Sequence, residues 1–415
     1  MIIEVINMND TVRSIIHVKG FIDFEMDFQL LRQLGSASYG GGSIGESLLV
    51  VSKMKSENAE EWVKNFYNLA LRQENDARQR LNKNHYISSA EQFLKASNSY
   101  RAAEYFLHSS NPEHKIVGLK SQDCFLKYLE LTYFHYKADF IEFNGLKLPY
   151  YFIAPNSSKK KRKTIIIISG FDGTREESFI QSGLAALKHG YNVVCFAGPG
   201  QMDSLRFNEN SYFQPDFNKS ITKLLDKLEN NTAIDFTRIA LLGLSFGGYF
   251  ASQTCCYESR IKALIANSPI IDLKKYVLGF SSESIDETNS NPEDDFTYSD
   301  IPNIPDEIMP PSFKEMVSNL LLRFGNKSMF ETLKYLNSFN ILDDFRNIQL
   351  PVLALIGEGE GVEPLSQYKQ FIEGVKNASY YKFSVEDGAD THCQVTNLGF
   401  SNCVIYDWLD EILIS

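Results

Sequence analysis

The sequence predicts a mostly parallel β-sheet covered by helices on both faces, with a layer of helices ahead of it. Three observations support this fold class. After residue 138, short apolar runs alternate with helix-like stretches, which is typical of parallel strands joined by helical crossovers. One of these runs ends in Gly243-Leu244-Ser245-Phe246-Gly247 and passes directly into a helix-like segment. Before residue 138, apolar residues recur at helical spacing instead.

The N-terminal region, residues 1–137, is expected to form a helical lid domain. Helical spacing covers residues 59–81 and 89–107, and a further helix is predicted at 121–136. Aromatic residues are dense here, so we expect most to form a core and some to line a substrate cavity. The glycine-rich segment 35–43 lacks the Gly-Lys-Ser/Thr of a phosphate loop, which favours a turn between helices.

The catalytic domain is predicted to span residues 138–415. It opens with a hairpin, in which strands at 139–143 and 148–153 flank Asn144-Gly145. Further strands are predicted at residues 164–168, 191–196, 238–242, 263–266, 352–356 and 380–383. Residues 270–348 form an insert, acidic and loop-like at first and helical later. Because ligands bind at the carboxyl edge of such sheets, where the insert leaves, we interpret it as a second part of the lid.

The serine motif predicts a nucleophile elbow, a tight strand-to-helix turn that holds the serine at positive φ. Glycine is expected at positions 243 and 247 because a Cβ at either would meet the backbone across the turn. A non-catalytic serine in a glycine turn is the alternative. The strand before Ser245 and the helix after it favour a nucleophile.

Ser245 needs a base, and in this architecture the chain order is serine, acid, histidine. Six of the seven histidines precede Ser245, so His392, in a polar loop after the last strand, is the candidate base. The acid is expected in Gly357-Glu358-Gly359-Glu360-Gly361, after the preceding strand. Spacing favours Glu360, with Glu358 as its rival and Glu363 as a third candidate.

Two backbone N–H groups are predicted to form an oxyanion hole. One belongs to Phe246, directly after the nucleophile. The other is assigned to Phe171, in the loop Ser169-Gly170-Phe171-Asp172-Gly173 that follows the strand at 164–168. An ordinary strand-to-helix turn would have the same sequence and is compatible with this role.

Composition disfavours several classes of protein. A net charge of -11 argues against nucleic acids and anionic membranes as partners. No apolar run has membrane-spanning length, and the N-terminal residues lack a signal-peptide pattern. The six cysteines show neither zinc-site nor disulfide-framework spacing, which suits a reducing cytoplasm. We therefore expect a cytoplasmic protein without metal or cofactor; the oligomeric state stays open, with a homodimer as one option.

Four segments together resemble the α/β-hydrolase superfamily, namely residues 170–178, 243–248, 357–361 and 388–394. The helical N-terminal region is similar to the branch that includes 2,6-dihydroxypseudooxynicotine hydrolase and the polyketide-shortening hydrolases of pigment and anthraquinone synthesis. A glutamate occupies the acid position where many members have aspartate, which puts only the identity of the acid in doubt.

The resemblance implies hydrolysis of a C–C bond beside a ketone, a retro-Claisen reaction through an acyl-serine intermediate. The implied partner is a small ketonic or ester substrate, with a carrier protein of a polyketide synthase as a candidate for its delivery. A carboxylesterase with the same triad is the main alternative. A binding protein on this fold would predict a broken site, and a peptidase is disfavoured because no propeller-like repeat precedes the domain.

Overall fold

The computed structural model describes residues 20–108, 110–158, 160–279, 295–305, 308–309 and 311–414. The first 19 residues of the predicted lid lie outside the described residues. So does Glu293-Asp294, at the acidic start of the predicted insert. Within the described ranges, no helix is both long and apolar enough to cross a bilayer. In the same ranges, no group of three or more His, Cys, Asp or Glu side chains is placed to hold a metal ion.

From residue 20 onward, the described chain has five helices ahead of the sheet: α1 (Phe24–Gly35), α2 (Ile44–Lys53), α3 (Ala59–Asn82), α4 (Tyr86–Tyr105) and α5 (Pro112–Leu131). Predicted helices at 59–81 and 89–107 are thus confirmed with small shifts. The prediction at 121–136 is wrong at both ends. Asn111 caps α5 and accepts the N–H of Glu113 at 2.9 Å, so the helix begins earlier. It ends at Leu131 because the chain joins the sheet from His135 onward.

The glycine-rich segment forms the predicted turn between α1 and α2. A short 3-10 turn, Ser36–Tyr39, ends at Gly40, whose φ of +77° favours glycine. At Gly35 a Cβ would overlap the carbonyl oxygen of Val395. The end of α1 therefore lies directly against the loop that carries His392.

The sheet has eight strands: β1 (His135–Phe143), β2 (Leu146–Ala154), β3 (Arg162–Ile168), β4 (Asn192–Phe196), β5 (Ile234–Leu244), β6 (Ala263–Asn267), β7 (Val352–Gly357) and β8 (Ala378–Phe383). Their spatial order is β1-β2-β4-β3-β5-β6-β7-β8. β2 is antiparallel to both β1 and β4, and the other neighbours are parallel. Asn144 and Gly145 turn the hairpin with φ of +49° and +78°, as their sequence predicts. The mostly parallel sheet is therefore confirmed.

Among the residues that the structure describes, ten further helices follow the first strands: α6 (Arg175–Ser178), α7 (Leu184–Lys188), α8 (Met202–Leu205), α9 (Asn218–Leu228), α10 (Phe246–Tyr257), α11 (Leu273–Leu278), α12 (Pro311–Phe324), α13 (Met329–Leu336), α14 (Val362–Gly374) and α15 (Leu398–Ile412). A single π turn, Phe179–Gly183, joins α6 to α7. The insert between β6 and β7 contributes α11, α12 and α13, so its later part is helical as predicted.

Alternate residues of β3 face two separate cores. Ile166 and Ile168 pack in the core that contains α9, α10 and α14. Ile165 and Ile167 share the other core with the π turn, α15 and the N-terminal helices. The N-terminal helical layer is thus continuous with the hydrophobic core on one face of the sheet.

Candidate active site

Ser245 stands at the turn between β5 and α10, with φ of +58° and ψ of -128°. A non-glycine residue at positive φ is strained and is held there by its surroundings. At Gly243 a Cβ would overlap the carbonyl of Gly247, as predicted. At Gly247 the obstacle differs from the prediction, because a Cβ there would meet the carbonyl oxygens at the end of β3. The elbow is therefore packed against the neighbouring strand as well as against itself.

His392 and Glu360 form a buried pair at the same edge of the sheet. Nδ1 of His392 lies 2.6 Å from Oε2 of Glu360, whose side chain is only 1% exposed. Glu360 also accepts the N–H of Gly357 at 3.0 Å and the hydroxyl of Ser268 at 2.5 Å. With three donors around it, the carboxylate is fixed in position and can orient the imidazole.

The rival acids point elsewhere. Glu358 accepts the N–H of Val385 at 2.7 Å, and its other oxygen lies 3.9 Å from the ammonium of Lys382. Glu363 accepts the side-chain amide of Gln367 at 2.7 Å. Of the three glutamates proposed from the sequence, Glu360 is the one that the structure places against His392.

The surroundings of His392 act on its charge in opposite directions. Burial disfavours the imidazolium and lowers its pKa, whereas the sulfur of Cys393 and the carboxylate of Glu360 favour the charged form. The net effect raises the pKa of His392 above the usual value for histidine. The sulfur of Cys393 lies 3.7 Å from Nε2 of His392.

Ser245 and His392 line one cavity. No hydrogen bond joins Ser245 Oγ to His392 Nε2, the nitrogen that faces Cys393. Contacts of this kind are often long without substrate and shorten in the Michaelis complex. The structure thus brings Ser245, His392 and Glu360, the predicted nucleophile, base and acid, to one edge of the sheet and leaves the serine–histidine contact open.

The two N–H groups proposed for the oxyanion hole belong to backbone beside Ser245. A Cβ on Gly170 would lie 2.9 Å from Oγ of Ser245 and 3.0 Å from the nitrogen of Phe246, so only glycine allows this approach. Neither Phe246 nor Phe171 donates its N–H to an acceptor in the described part of the chain. Both donors therefore remain available to a ligand.

Two buried side chains that we did not identify from the sequence hold the loop of residues 169–173, which we call the oxyanion loop after the role predicted for Phe171. Gln201 donates to the carbonyl of Gly170 at 3.1 Å and also contacts the carbonyl of Ser169. Arg323, on α12 of the insert, donates to the carbonyl of Phe171 at 2.5 Å. The position of Gln201, just after β4 at the carboxyl edge of the sheet, was a usable signal. Nothing in the local pattern around Arg323 marked it.

The cavity walls come from parts of the chain far apart in sequence. The N-terminal helices contribute Phe28, Arg32 and Tyr105, and the insert contributes Tyr276, Glu315 and Arg323. Both regions that we interpreted as lid thus border the cavity that holds Ser245. Several aromatic residues of the N-terminal helices, such as Phe93 and Phe125, are instead fully buried in the core.

This fold and site define the class of protein. A family model described as the prolyl oligopeptidase family matches residues 187–311, a part of the chain that contains the nucleophile elbow. Together with the fold and the relatives below, this match, which covers less than half of the chain, confirms the resemblance to the α/β-hydrolase superfamily that the sequence predicts.

Sequence relatives are named as hydrolases. The hydrolase acrC of Aspergillus aculeatus is 31% identical over 266 residues, which cover 59% of this chain and 62% of that protein. The alpha/beta hydrolase xenA of Xenoacremonium sinensis is 30% identical over 262 residues, covering 60% and 61%. The hydrolyase poxO of Penicillium oxalicum is 27% identical over 276 residues, covering 62% and 64%. The chain thus spans less than two thirds of the length of these curated relatives.

Solved structures match almost the whole chain. The crystal structure of 2,6-dihydroxy-pseudo-oxynicotine hydrolase superposes with a TM-score of 0.71 at 20% identity, covering 92% of this chain and 95% of that one. AbyA5 superposes with a TM-score of 0.64 at 12% identity, covering 94% and 93%. At these identities the likeness is one of fold, and it includes the N-terminal helices as well as the sheet.

Proposed function

We propose that this α/β hydrolase cleaves a C–C bond beside a ketone through an acyl-serine intermediate. The observation that carries the proposal is the buried pair of His392 and Glu360 in the cavity of Ser245. In this scheme Ser245 is the nucleophile, His392 the general base and Glu360 the acid that orients it.

The reaction begins when Oγ of Ser245 attacks the carbonyl carbon and His392 takes its proton. The oxyanion that forms is held by the N–H groups of Phe171 and Phe246. Collapse re-forms the carbonyl and breaks the C–C bond, whose electron pair leaves on carbon as an enolate. The imidazolium of His392 protonates that carbon. A water molecule, deprotonated by His392, then releases the acyl group as a carboxylic acid.

Only a stabilised carbanion can leave at a useful rate, so we expect substrates with a second carbonyl, such as β-diketones and poly-β-ketones. The cavity suits a flat, largely apolar ligand of this type. Aromatic side chains line the cavity, namely Phe28, Phe106, Phe171, Phe246 and Tyr276. The N-terminal helices and the insert both border it. We expect these two layers to limit the access of water to the acyl-enzyme until the leaving group has been protonated.

A carboxylesterase is the second candidate, because the same triad and oxyanion donors serve an alcohol leaving group. Mass spectrometry of the intact protein separates the two. Wild type, Ser245→Ala and Ser252→Ala are incubated with a panel of p-nitrophenyl esters and β-diketones. Ser252 is a matched control because its hydroxyl is buried in α10 without a hydrogen-bond partner.

A diketone-derived acyl adduct in wild type and Ser252→Ala, absent from Ser245→Ala and accompanied by a methyl ketone, is the expected result. Adducts from esters alone would assign the protein to the carboxylesterases. Adducts that persist in Ser245→Ala would refute the role of Ser245 in either reaction.

A further inference from the structure

Arg323 is a buried cation in the wall of the cavity. It is 2% exposed and lies on α12 of the insert. Its Nε donates to the carbonyl of Gly200 at 2.6 Å, and Nη2 donates to the carbonyls of Phe171 and Gly200. Nη1 has a single neighbour that accepts hydrogen bonds, the thioether of Met202 at 4.0 Å. Two N–H bonds of the guanidinium are therefore without a strong acceptor.

No carboxylate oxygen lies within 4.0 Å of Arg323 in the described parts of the chain, in contrast to the other buried arginines. Three carboxylates are close enough for their charge to raise the pKa of Arg323, and each of them is paired with another arginine. Asp172 contacts Arg32 at 2.6 Å, Glu104 contacts Arg206 at 2.6 Å, and Asp203 contacts Arg175 at 2.9 Å. Burial lowers the pKa of Arg323 to about 10, so the guanidinium stays charged at neutral pH.

The remaining ionisable groups of this wall do not neutralise Arg323 either. Glu315 precedes it on α12 by eight residues, about 12 Å along the helix axis. Its Oε2 is buried without a hydrogen-bond partner, and burial raises its pKa. Burial and the charges of Arg206 and Arg323 lower the pKa of His114 to about 3, so that imidazole is neutral. The guanidinium is compensated only by carbonyl oxygens and by the rings of Phe171 and Phe213. A buried cation without a carboxylate partner is costly and is expected where it meets an anionic ligand.

We propose that Arg323 binds, through Nη1, the substrate oxygen that becomes anionic when the C–C bond breaks. This inference rests on the proposed function and names its substrate class, the 1,3-dicarbonyl compounds. The second carbonyl of such a compound is two bonds from the scissile carbonyl carbon. The electron pair of the broken C–C bond passes to its oxygen as an enolate, beside the guanidinium. The same guanidinium holds the carbonyl of Phe171, so the two anion-binding positions are adjacent.

An ionised 1,3-diketone resembles the leaving enolate and can be studied without turnover. In the Ser245→Ala protein, the dissociation constant of 1-phenylbutane-1,3-dione is measured against pH by calorimetry. Its 2,2-dimethyl analogue, which has no hydrogen between the two carbonyls and so stays neutral over the same pH range, is the matched ligand. Ionisation of the diketone is expected to tighten binding by about 10- to 100-fold, the range for a charge-assisted hydrogen bond. Binding of the analogue is expected not to change with ionisation. Equal binding of the two ligands at high pH would overturn the inference.

Substitution of Arg323 tests whether this residue causes the tighter binding of the enolate. In the Ser245→Ala background, Arg323→Met is expected to abolish the preference for the enolate, and Arg323→Lys to keep part of it. Because Arg323 also supports the oxyanion loop, the dimethyl analogue reports any general damage to the cavity. A preference that survives Arg323→Met would refute the role of this residue.

Two further measurements distinguish a failure of this inference from a failure of the proposed function. 3-Phenylpropanoate supplies the same anionic oxygen from a carboxylate. If it binds as tightly as the enolate and with the same dependence on Arg323, the assignment to 1,3-dicarbonyls is wrong. Wild type that cleaves the diketone without any enolate preference would leave the proposed function standing and overturn the inference. Arg323-dependent enolate binding without cleavage of any diketone by wild type would overturn the proposed function and with it the assignment of this anion to a leaving enolate.

Discussion

Arg32, on the first helix of the N-terminal layer, contacts Asp172 on the loop that carries Phe171. Nη1 of Arg32 lies 2.6 Å from the carboxylate, and the same guanidinium contacts both oxygens of Glu177 on α6. All three side chains are largely buried. The N-terminal layer is thus tied by charge to the backbone beside the nucleophile, in addition to its hydrophobic contact with the sheet.

Arg32→Met is expected to destabilise the protein by about 3 kcal/mol, because it removes the nearest cation from the largely buried carboxylates of Glu177 and Asp172. Chemical denaturation followed by circular dichroism measures the change. Arg80→Met is the control, since Arg80 pairs with Asp76 on the surface of α3 and its loss should leave the midpoint unchanged. An equal, small effect of both substitutions would contradict the structural role assigned to Arg32.

Gln201→Glu is expected to lower kcat by about 10²-fold with little change in KM. The substitution keeps the shape of the side chain and removes the donor that fixes the carbonyls of Ser169 and Gly170, so the N–H of Phe171 loses its orientation. The change in kcat is measured by steady-state kinetics on the substrate for which wild type has the highest kcat/KM. Gln253→Glu is the matched control, because Gln253 donates to the carbonyl of Pro215 away from the cavity. If both variants lose kcat equally, the specific role of Gln201 is wrong.

Glu360→Gln is expected to reduce kcat/KM by about 10²- to 10⁴-fold, as expected when a neutral amide replaces the carboxylate that orients a catalytic histidine. Glu358→Gln should keep activity near that of wild type, because Glu358 binds Val385 and Lys382 rather than His392. The two substituted positions lie two residues apart in the same loop, and the variants are compared in one kinetic assay. The opposite ranking would assign the role of the acid to Glu358.

The pH profile of kcat/KM should show an acid limb above the usual histidine range. His392 accepts a proton only in its neutral form, and Cys393 and Glu360 raise its pKa against the effect of burial. Activity therefore falls as pH drops through this raised pKa, by about tenfold per pH unit. In Glu360→Gln the limb should move to lower pH, because the effect of burial remains and the carboxylate charge is gone. A limb that stays in place in Glu360→Gln would show that another group titrates.

Elements with a strong local pattern could be predicted from the sequence. The Asn144-Gly145 hairpin, the buried strands and the strand–serine–helix turn each depend on residues within a few positions of one another. The helix predicted at 121–136 failed because its apolar spacing continues into β1, and pairing with β2 prevails over helical propensity there. Caps such as Asn111 set the true start of α5.

Long-range polar contacts were not predictable. Gln201 meets the carbonyl of Gly170 across 31 residues of sequence, and Arg323 meets that of Phe171 across 152. No periodicity marks such partners, since their positions depend on how the loop after β4 and the insert lie over the carboxyl edge of the sheet. The sequence also predicted that a Cβ at Gly247 would meet the backbone of the elbow itself. In the structure it would meet the carbonyl oxygens at the end of β3 instead.

The polar contacts between the N-terminal layer and the sheet also affect the order of events during synthesis on the ribosome. Arg32 and Glu104 leave the exit tunnel long before their partners Glu177 and Arg206, which are 145 and 102 residues further along the chain. Until those residues emerge, docking of the helices would bury unpaired charge. We therefore expect the segment that is made first to reach its final place only after more than half of the sheet has been translated.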